Sequence, residues 1–270
     1  MNWQTRLQQG EGAAKPRSIY AFTHRGEAFE ASLTGALYWP HHQALLVADL
    51  HLEKGSAFAR GGQFLPPYDS HQTLSLLAAD IAHFQPARVL CLGDSFHDIG
   101  GAARMAPDVA QLLNELIGKQ EWVWLTGNHD PVIPAELGGE RGETRNLAGA
   151  ECPVILCHEP GESKKALSAA SPAAESATLL EHCLEICGHM HPVARIPARG
   201  RTMRRKCFLL TKERIIMPAY GSFTGGLELC DEAFAPYVPE DARLLVIGRQ
   251  TLAMHDISIS VPRSSSRRRR

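Results

Sequence analysis

"ARVLCLGD", residues 87–94, is a run of branched apolar residues that stops at a glycine and a carboxylate. Apolar runs of about 4–8 residues without polar alternation fit strands covered on both faces, as in parallel sheets. The same form recurs in "ALLVADLH" (44–51), "WVWLTGNHD" (122–130), "PVILCH" (153–158) and "LEICGHMH" (184–191). Between the first two strands lies "YDSHQTLSLLAADIAHF" (68–84), where Leu74, Leu77, Ala78 and Ile81 follow helical spacing and Asp69 or Ser70 is placed to cap the start. Met105, Val109, Leu112, Leu113 and Leu116 form a second helical stripe before the next strand. Strands alternating with helices predict an α/β fold with parallel pairing through residue 130.

After residue 195 the pattern changes. "CFLLTKERIIMPAY" (207–220) and "ARLLVIGRQTLAMHDISI" (242–259) each read as two strands joined by a turn, which predicts a second, more antiparallel sheet. The Ala/Ser-rich stretch 162–177 reads as a surface loop. Residues 1–17 and 258–270, the latter ending in "RRRR", read as weakly ordered tails around one domain spanning 18–257.

Composition excludes several classes. The chain has 270 residues, 44% hydrophobic and 21% charged, with a formal net charge of -1, so no strongly basic overall field exists. Its seven cysteines are irregularly spaced and form no disulfide framework, which suits reduced thiols in the cytoplasm. No segment approaches the ~20 apolar residues of a membrane span, and no secretory signal is apparent. No cysteine has an arginine six residues on, and neither a phosphate-binding G-x-x-x-x-G-K-[ST] loop nor a G-x-S-x-G nucleophile elbow occurs.

The strand ends carry the chemistry. In order they bear Asp49 with His51, Asp94, Asn128 with His129, His158, and His189 with His191. Ligands bind beyond the carboxyl ends of strands in open α/β sheets. One such residue alone reads as turn or capping chemistry; the five-fold recurrence points to a shared site. Imidazole with carboxylate and amide oxygen suits Mn, Fe, Zn or Ni better than Ca or Mg. Two ions about 3.5–4 Å apart generate a hydroxide near neutral pH and clamp both oxygens of an in-line displacement at phosphorus. Such a pair needs a bridging anion, and Asp94, central in order and preceded by glycine, is placed for it.

"DLH", "GDSFHD", "GNHD", His158 and "GHMH" resemble, in order, the motifs of the calcineurin-like metallophosphoesterase superfamily. The resemblance implies a four-layer αββα sandwich of two mixed β-sheets flanked by helices. It implies one metal on Asp49, His51, Asp94 and His191, and a second on Asp94, Asn128, His158 and His189. His129 would stand beside the metals as general acid or phosphate donor, a task suited to imidazole as a side-chain type, since unperturbed histidine titrates at ~6.5.

Where protein phosphatases of the superfamily carry an Asp and then an Arg after the bridging Asp, this chain has His97 and Asp98 with no Arg. That arrangement is similar to the double-strand-break repair nucleases. His97 is therefore a second catalytic candidate, with a buried hydrogen-bonded role as the alternative.

"VADLHLEKGSAFARGGQFLPPYDS" (47–70), "WVWLTGNHDP" (122–131) and "MPAYGSFTGGL" (217–227) extend the match from about residue 44 to 230, towards the bacterial DNA-ligase-associated metallophosphoesterases. That resemblance implies a Mn²⁺-dependent phosphodiesterase, with Fe, Zn or Ni as alternative metals. Its implied task is that of an endonuclease on single-stranded or branched DNA, associated with DNA ligase, helicase and exonuclease in a damage response. A small-molecule or nucleotide phosphoesterase is the alternative, and a non-catalytic interaction module is a third reading. The basic stretch 194–214 holds Arg195, Arg204 and Arg205, which either steer a polyanion or protect a sheet edge. Arg60 and Lys54 near the first motif are further substrate-contact candidates.

Overall fold

The computed structural model describes residues 18–163, 183–198 and 200–261. The tail residues 1–17 and 262–270 and most of the expected loop, 164–177, lie outside the described residues.

The first sheet contains β1 (Ile19–His24), β2 (Glu27–Ser32), β3 (Leu37–Trp39), β4 (Ala44–Val47), β5 (Arg88–Leu92), β6 (Glu121–Leu125) and β7 (Glu140–Gly142), side by side in chain order. Pairing is antiparallel from β1 to β4 and parallel from β4 to β7. The second sheet contains β8 (Thr144–Leu147), β9 (Val154–Cys157), β10 (Leu184–Cys187), β11 (Pro192–Ala198), β12 (Arg201–Thr211), β13 (Arg214–Ile216), β14 (Leu227–Glu228), β15 (Arg243–Ile247) and β16 (Leu252–Asp256). Its order is β14-β11-β12-β13-β10-β9-β8, with β15 added on β12 and β16 on β15. The sheet is mixed: β10 runs parallel to both β9 and β13, while the C-terminal hairpins are antiparallel as expected.

Continuous apolar runs follow from burial on two sides. On β5, Leu90 and Leu92 face the second sheet with Leu156, Ile186 and Phe208, while Val89 and Cys91 face the helices. Those helices are α1 (Lys54–Arg60), α2 (Asp69–Phe84), α3 (Gly101–Arg104) and α4 (Pro107–Ile117). Leu74, Leu77 and Ile81 of α2 and Val109, Leu113 and Leu116 of α4 pack there, on the stripes their spacing predicts. Removing a side chain such as Leu90 costs about 2–5 kcal/mol, because the sandwich cannot collapse around the cavity.

The outer face of the second sheet is covered differently. Cys157, Cys187, Leu209 and Leu244 meet Leu229, Phe234 and Ile257, and among the described residues this cover comes from loops and 3-10 turns rather than α-helix.

Two sequence expectations are corrected. Asp69 and Ser70 do not cap α2, whose N-cap is Tyr68 with no side-chain bond. They instead serve the start of α1: Asp69 Oδ2 accepts the Gly55 N–H at 3.0 Å and Ser70 Oγ accepts the Glu53 N–H at 2.8 Å. Residues 258–261, assigned to a tail, are packed: Ile257–Ile259 form a 3-10 turn, and Ser260 Oγ accepts the Arg195 N–H at 2.8 Å. Among the described residues no helix is long and apolar enough to cross a membrane.

Candidate metal centre at the strand ends

The turns after β4, β5, β6, β9 and β10 converge on one edge of the sandwich and are tied together by backbone bonds. Asp49 N donates to Gly93 O, His51 N to Asp94 O at 2.9 Å, and Gly188 N to His158 O at 3.0 Å. Asp49, His51, Asp94, His189 and His191 all have positive φ, between 43° and 65°. A side chain held in this region costs of order 1–3 kcal/mol and persists only where surroundings enforce it. The glycines before the polar residues allow the turns to close. A Cβ on Gly93 (φ 78°) would overlap the His158 ring, and one on Gly127 would overlap the Asp94 carboxylate.

Donor atoms gather in three groups, Asp49 with His51 and His191, Asp94 with His158 and His189, and His51 with His97 and His129; within each, the atoms lie within 4.8 Å of one another, and the first two contain the predicted ligands. His191 Nε2 is 3.0 Å from Asp49 Oδ1. His158 Nε2 is 3.4 Å from Asp94 Oδ2 and 3.1 Å from Asn128 Oδ1, and His189 Nδ1 is 3.1 Å from the same Asn128 oxygen. Asp94 stands between the first two groups, since its Oδ2 is also 3.7 Å from His51 Nε2. The sequence-predicted ligands Asp49, His51, Asp94, Asn128, His158, His189 and His191 are thus all brought to one place.

The donor set fits a pair of cations. His158 Nδ1 lies 2.9 Å from Leu92 O and donates to it, so Nε2 is the nitrogen directed at the Asn128 and Asp94 oxygens. Positive charge, a proton or a cation, is favoured between this nitrogen and these oxygens, and a His whose far nitrogen is fixed by a carbonyl is the usual arrangement of a metal ligand. His51 Nδ1 is buried with no hydrogen-bond partner, and His191 Nε2 approaches Asp49 without hydrogen-bonding geometry. Nitrogen and oxygen donors of this kind suit divalent transition metals.

The electrostatics agree. Burial pushes His51 down to about 4, against the pull of Asp49 and Asp94, so its ring is neutral near pH 7. Burial also lowers His189. Burial opposes charge on Asp94 too, but the His158 bond and the His129 N–H hold it at about 2. At His158 burial is outweighed by Asp94 and Asp49, which raise it to about 9. The two carboxylates thus favour positive charge at His158.

His129 lines the cleft beside these groups. Its backbone N–H donates to Asp94 Oδ1 at 2.9 Å, and its Nδ1 lies 2.9 Å from His97 O. The Nδ1–H is therefore spoken for, and Nε2 is the nitrogen free to meet a ligand. His97 stacks on His129 with ring centroids 5.4 Å apart, and burial, then Lys54, lowers its pKa. The open cleft has a volume of about 490 Å³, with Lys54, His97 and His129 on one side and Gly225, Gly226 and Leu227 on another. Of the arginine candidates, Arg204 adjoins this cleft: its Nη2 donates to Gly226 O at 3.0 Å while its Nε pairs with Glu228 at 2.8 Å. Arg195 also pairs with Glu228, and Arg205 bonds to Arg204 O; neither they nor Arg60 line the cleft.

Sequence reasoning missed two supporting residues. Asp130 is buried and accepts the N–H groups of Asp94 (3.1 Å), Gly127 (3.0 Å) and Phe96 (3.0 Å). Burial pushes its carboxyl up to about 6. Lys206 donates to Ala219 O at 2.6 Å and Gly221 O at 3.1 Å, with burial lowering its pKa to about 8. Nothing local to "GNHD" or "RRK" signals these roles, because the partners arrive from other strands.

Residues 42–169 match the family model of the calcineurin-like phosphoesterases. The chain is similar to a nuclease from Pseudomonas putida, MPE, with 26% identity and a TM-score of 0.60 over 87% of this chain and 100% of the other. More distant are the E. coli phosphoesterase Yfce (16% identity, TM-score 0.39, 79% of this chain and 98% of the other) and zinc-complexed Vps29 of Entamoeba histolytica (13%, 0.34, 79% and 97%). No curated protein sequence matches the chain.

Proposed function

We propose that this calcineurin-like phosphoesterase, a metal-dependent hydrolase of phosphoric ester bonds, is a binuclear phosphodiesterase that cuts DNA. The observation that carries the reading is Asp94, which stands between two groups of nitrogen and oxygen donors and also holds the His129 backbone. Asp49, His51 and His191 would hold one ion, Asn128, His158 and His189 the other, with Asp94 shared between them. When bound, such a pair supplies Lewis acidity and a nucleophile at neutral pH. The protein's part is to place the scissile phosphate and manage the proton. His129, fixed by Asp94 and by the His97 carbonyl, presents Nε2 to the leaving oxygen and gives it a proton. Lys54 and Arg204 add positive charge beside the cleft for the flanking phosphates.

The nuclease reading is supported by the similarity to the Pseudomonas putida nuclease and by His97 with Asp98 following the bridging aspartate. Mn²⁺ as the ion, single-stranded or branched DNA as substrate, and association with DNA ligase, helicase and exonuclease rest on the sequence resemblance. Seven free cysteines, of which only Cys230 is exposed, suit the reducing cytoplasm. Purified protein with Mn²⁺ should hydrolyse bis-p-nitrophenyl phosphate and nick a single-stranded oligonucleotide. A strong preference for nucleotide monoesters would defeat the nuclease reading. The second reading, a phosphoesterase of nucleotides or small diesters, draws on the cleft volume of about 490 Å³, in the range of small-ligand pockets.

A further inference from the structure

The segment Tyr220–Leu227 forms the wall of the cleft next to His191, and nothing in the metal chemistry accounts for its composition. It is tied to the ligand turns at both ends: Tyr220 N donates to Ala48 O at 2.8 Å, Gly221 N to Asp49 O at 3.1 Å, and Leu227 N to His191 O at 3.1 Å. Its glycines differ in what they answer to. A Cβ on Gly226 would strike Val193 and the His191 carbonyl, so packing requires glycine there. Gly225 has nothing within 4 Å of its Cβ position, its φ lies outside the left-handed region, and it is exposed to the cleft. Neither packing nor backbone conformation asks for glycine at 225.

What remains is the space in front of it. The Gly225 and Gly226 N–H groups donate to none of the described residues, although both residues line the cleft. Beside them Met190, Leu227 and Ala233 give the same wall an apolar face. Free peptide donors next to apolar side chains match a sugar-phosphate with its base, in which oxygens and a flat ring lie side by side.

We propose that Gly225 opens a subsite for the nucleotide next to the scissile phosphate, its oxygens reached by the 225–226 peptide and its base lying against Met190, Leu227 and Ala233. This rests on the phosphodiesterase reading above. The occupant lies on the His191 side of the cleft, where the Leu227 N–H is bonded to the His191 carbonyl and the His191 ring centroid is 5.3 Å from that of His51. A side chain at 225 would stand in its path without disturbing the fold.

The test is calorimetric binding of the dinucleotide pTpT, made with methylene in place of the leaving oxygen of its diester so that it is not cleaved, and of inorganic phosphate to Mn²⁺-loaded wild type, Gly225→Ala and Gly225→Val. The expected result is pTpT binding tighter than phosphate in wild type, weakened about tenfold or more by valine and less by alanine, with phosphate affinity, Mn²⁺ content and Tm unchanged. Equal pTpT affinity in all three proteins, equal weakening of pTpT and phosphate, or wild-type pTpT binding no tighter than phosphate would each overturn the subsite. Oligonucleotide cleavage by wild type, measured alongside, tests the nuclease reading separately. An uncut oligonucleotide with the pTpT discrimination intact defeats that reading and leaves the subsite standing.

Discussion

The Asp130 carboxylate accepts the backbone N–H of Asp94 at 3.1 Å, and so joins the turn after β6 to the turn after β5. Its two oxygens also take the Gly127 and Phe96 N–H groups, which leaves Asp130 no part in the cleft and makes it the clamp behind two candidate ligands, Asp94 and Asn128. Asp130→Ala strands buried N–H groups at about 1–3 kcal/mol each. The expected outcome is a lower Tm together with weaker Mn²⁺ binding by about 10–100-fold, as for other groups that orient ligands. Asp130→Asn, which keeps one acceptor, should fall between. Thermal denaturation and metal titration of the two variants check this.

His129 and His97 separate by which atoms they use. His129→Ala removes the free Nε2 and should lower kcat by about 10²–10⁴-fold with Mn²⁺ content unchanged. His97 holds His129 through its carbonyl, which His97→Ala retains, so the loss there should be no more than about tenfold. Steady-state kinetics on bis-p-nitrophenyl phosphate distinguish the two. Similar large losses in both variants would move the proton-transfer role onto the pair.

Metal binding should release a proton. With His158 raised to about 9 by Asp94 and Asp49 in the metal-free protein, its ring is charged at neutral pH and must deprotonate to become a ligand. Mn²⁺ affinity should therefore rise with pH up to about 9, at most tenfold per unit, and level off above it. Calorimetry in two buffers of different ionisation enthalpy reads the proton count, and His158→Gln should abolish that dependence.

Acid stability should depend on Glu185. This buried carboxylate accepts from Gly161, Ser163 and Arg214. Burial would raise its pKa, but Arg214 and the Ser163 bonds pull it below the ordinary value. A group depressed in the folded state stabilises above its unfolded pKa, and that contribution is lost as pH falls through the folded value. The wild type should therefore lose stability below about pH 4.5. Glu185→Ala should cost about 3–5 kcal/mol at pH 7 by leaving Arg214 buried and unpaired, and should flatten this acid limb. Urea titrations across pH check it.

The parts of this architecture legible in the sequence are those whose signal is local. β4, β5, β6, β9 and β10 are apolar on both faces and end in polar residues, so both their existence and their ends are readable. β1 and β2 are hard to read because "IYAFTH" and "EAFEAS" alternate weakly, and the turn between them rests on Arg25-Gly26, both at positive φ. Asp69 reads as a cap for its own helix, and only the packing of α1 on α2 turns it to Gly55. Asp130 adjoins His129 in sequence, but its role depends on β5 and β6 lying parallel in register, which no short motif encodes. Arg60 follows the first motif closely, and the helix then carries it away from the cleft.

The most direct test of the binuclear centre is the metal content of protein reconstituted with Mn²⁺ and freed of excess ion, measured for wild type and Asp94→Ala alongside their diesterase activity. Two ions per chain are expected in wild type, with at most one retained and hydrolysis lost in the variant. One ion or none in wild type, or two ions with full activity in Asp94→Ala, would contradict the shared centre.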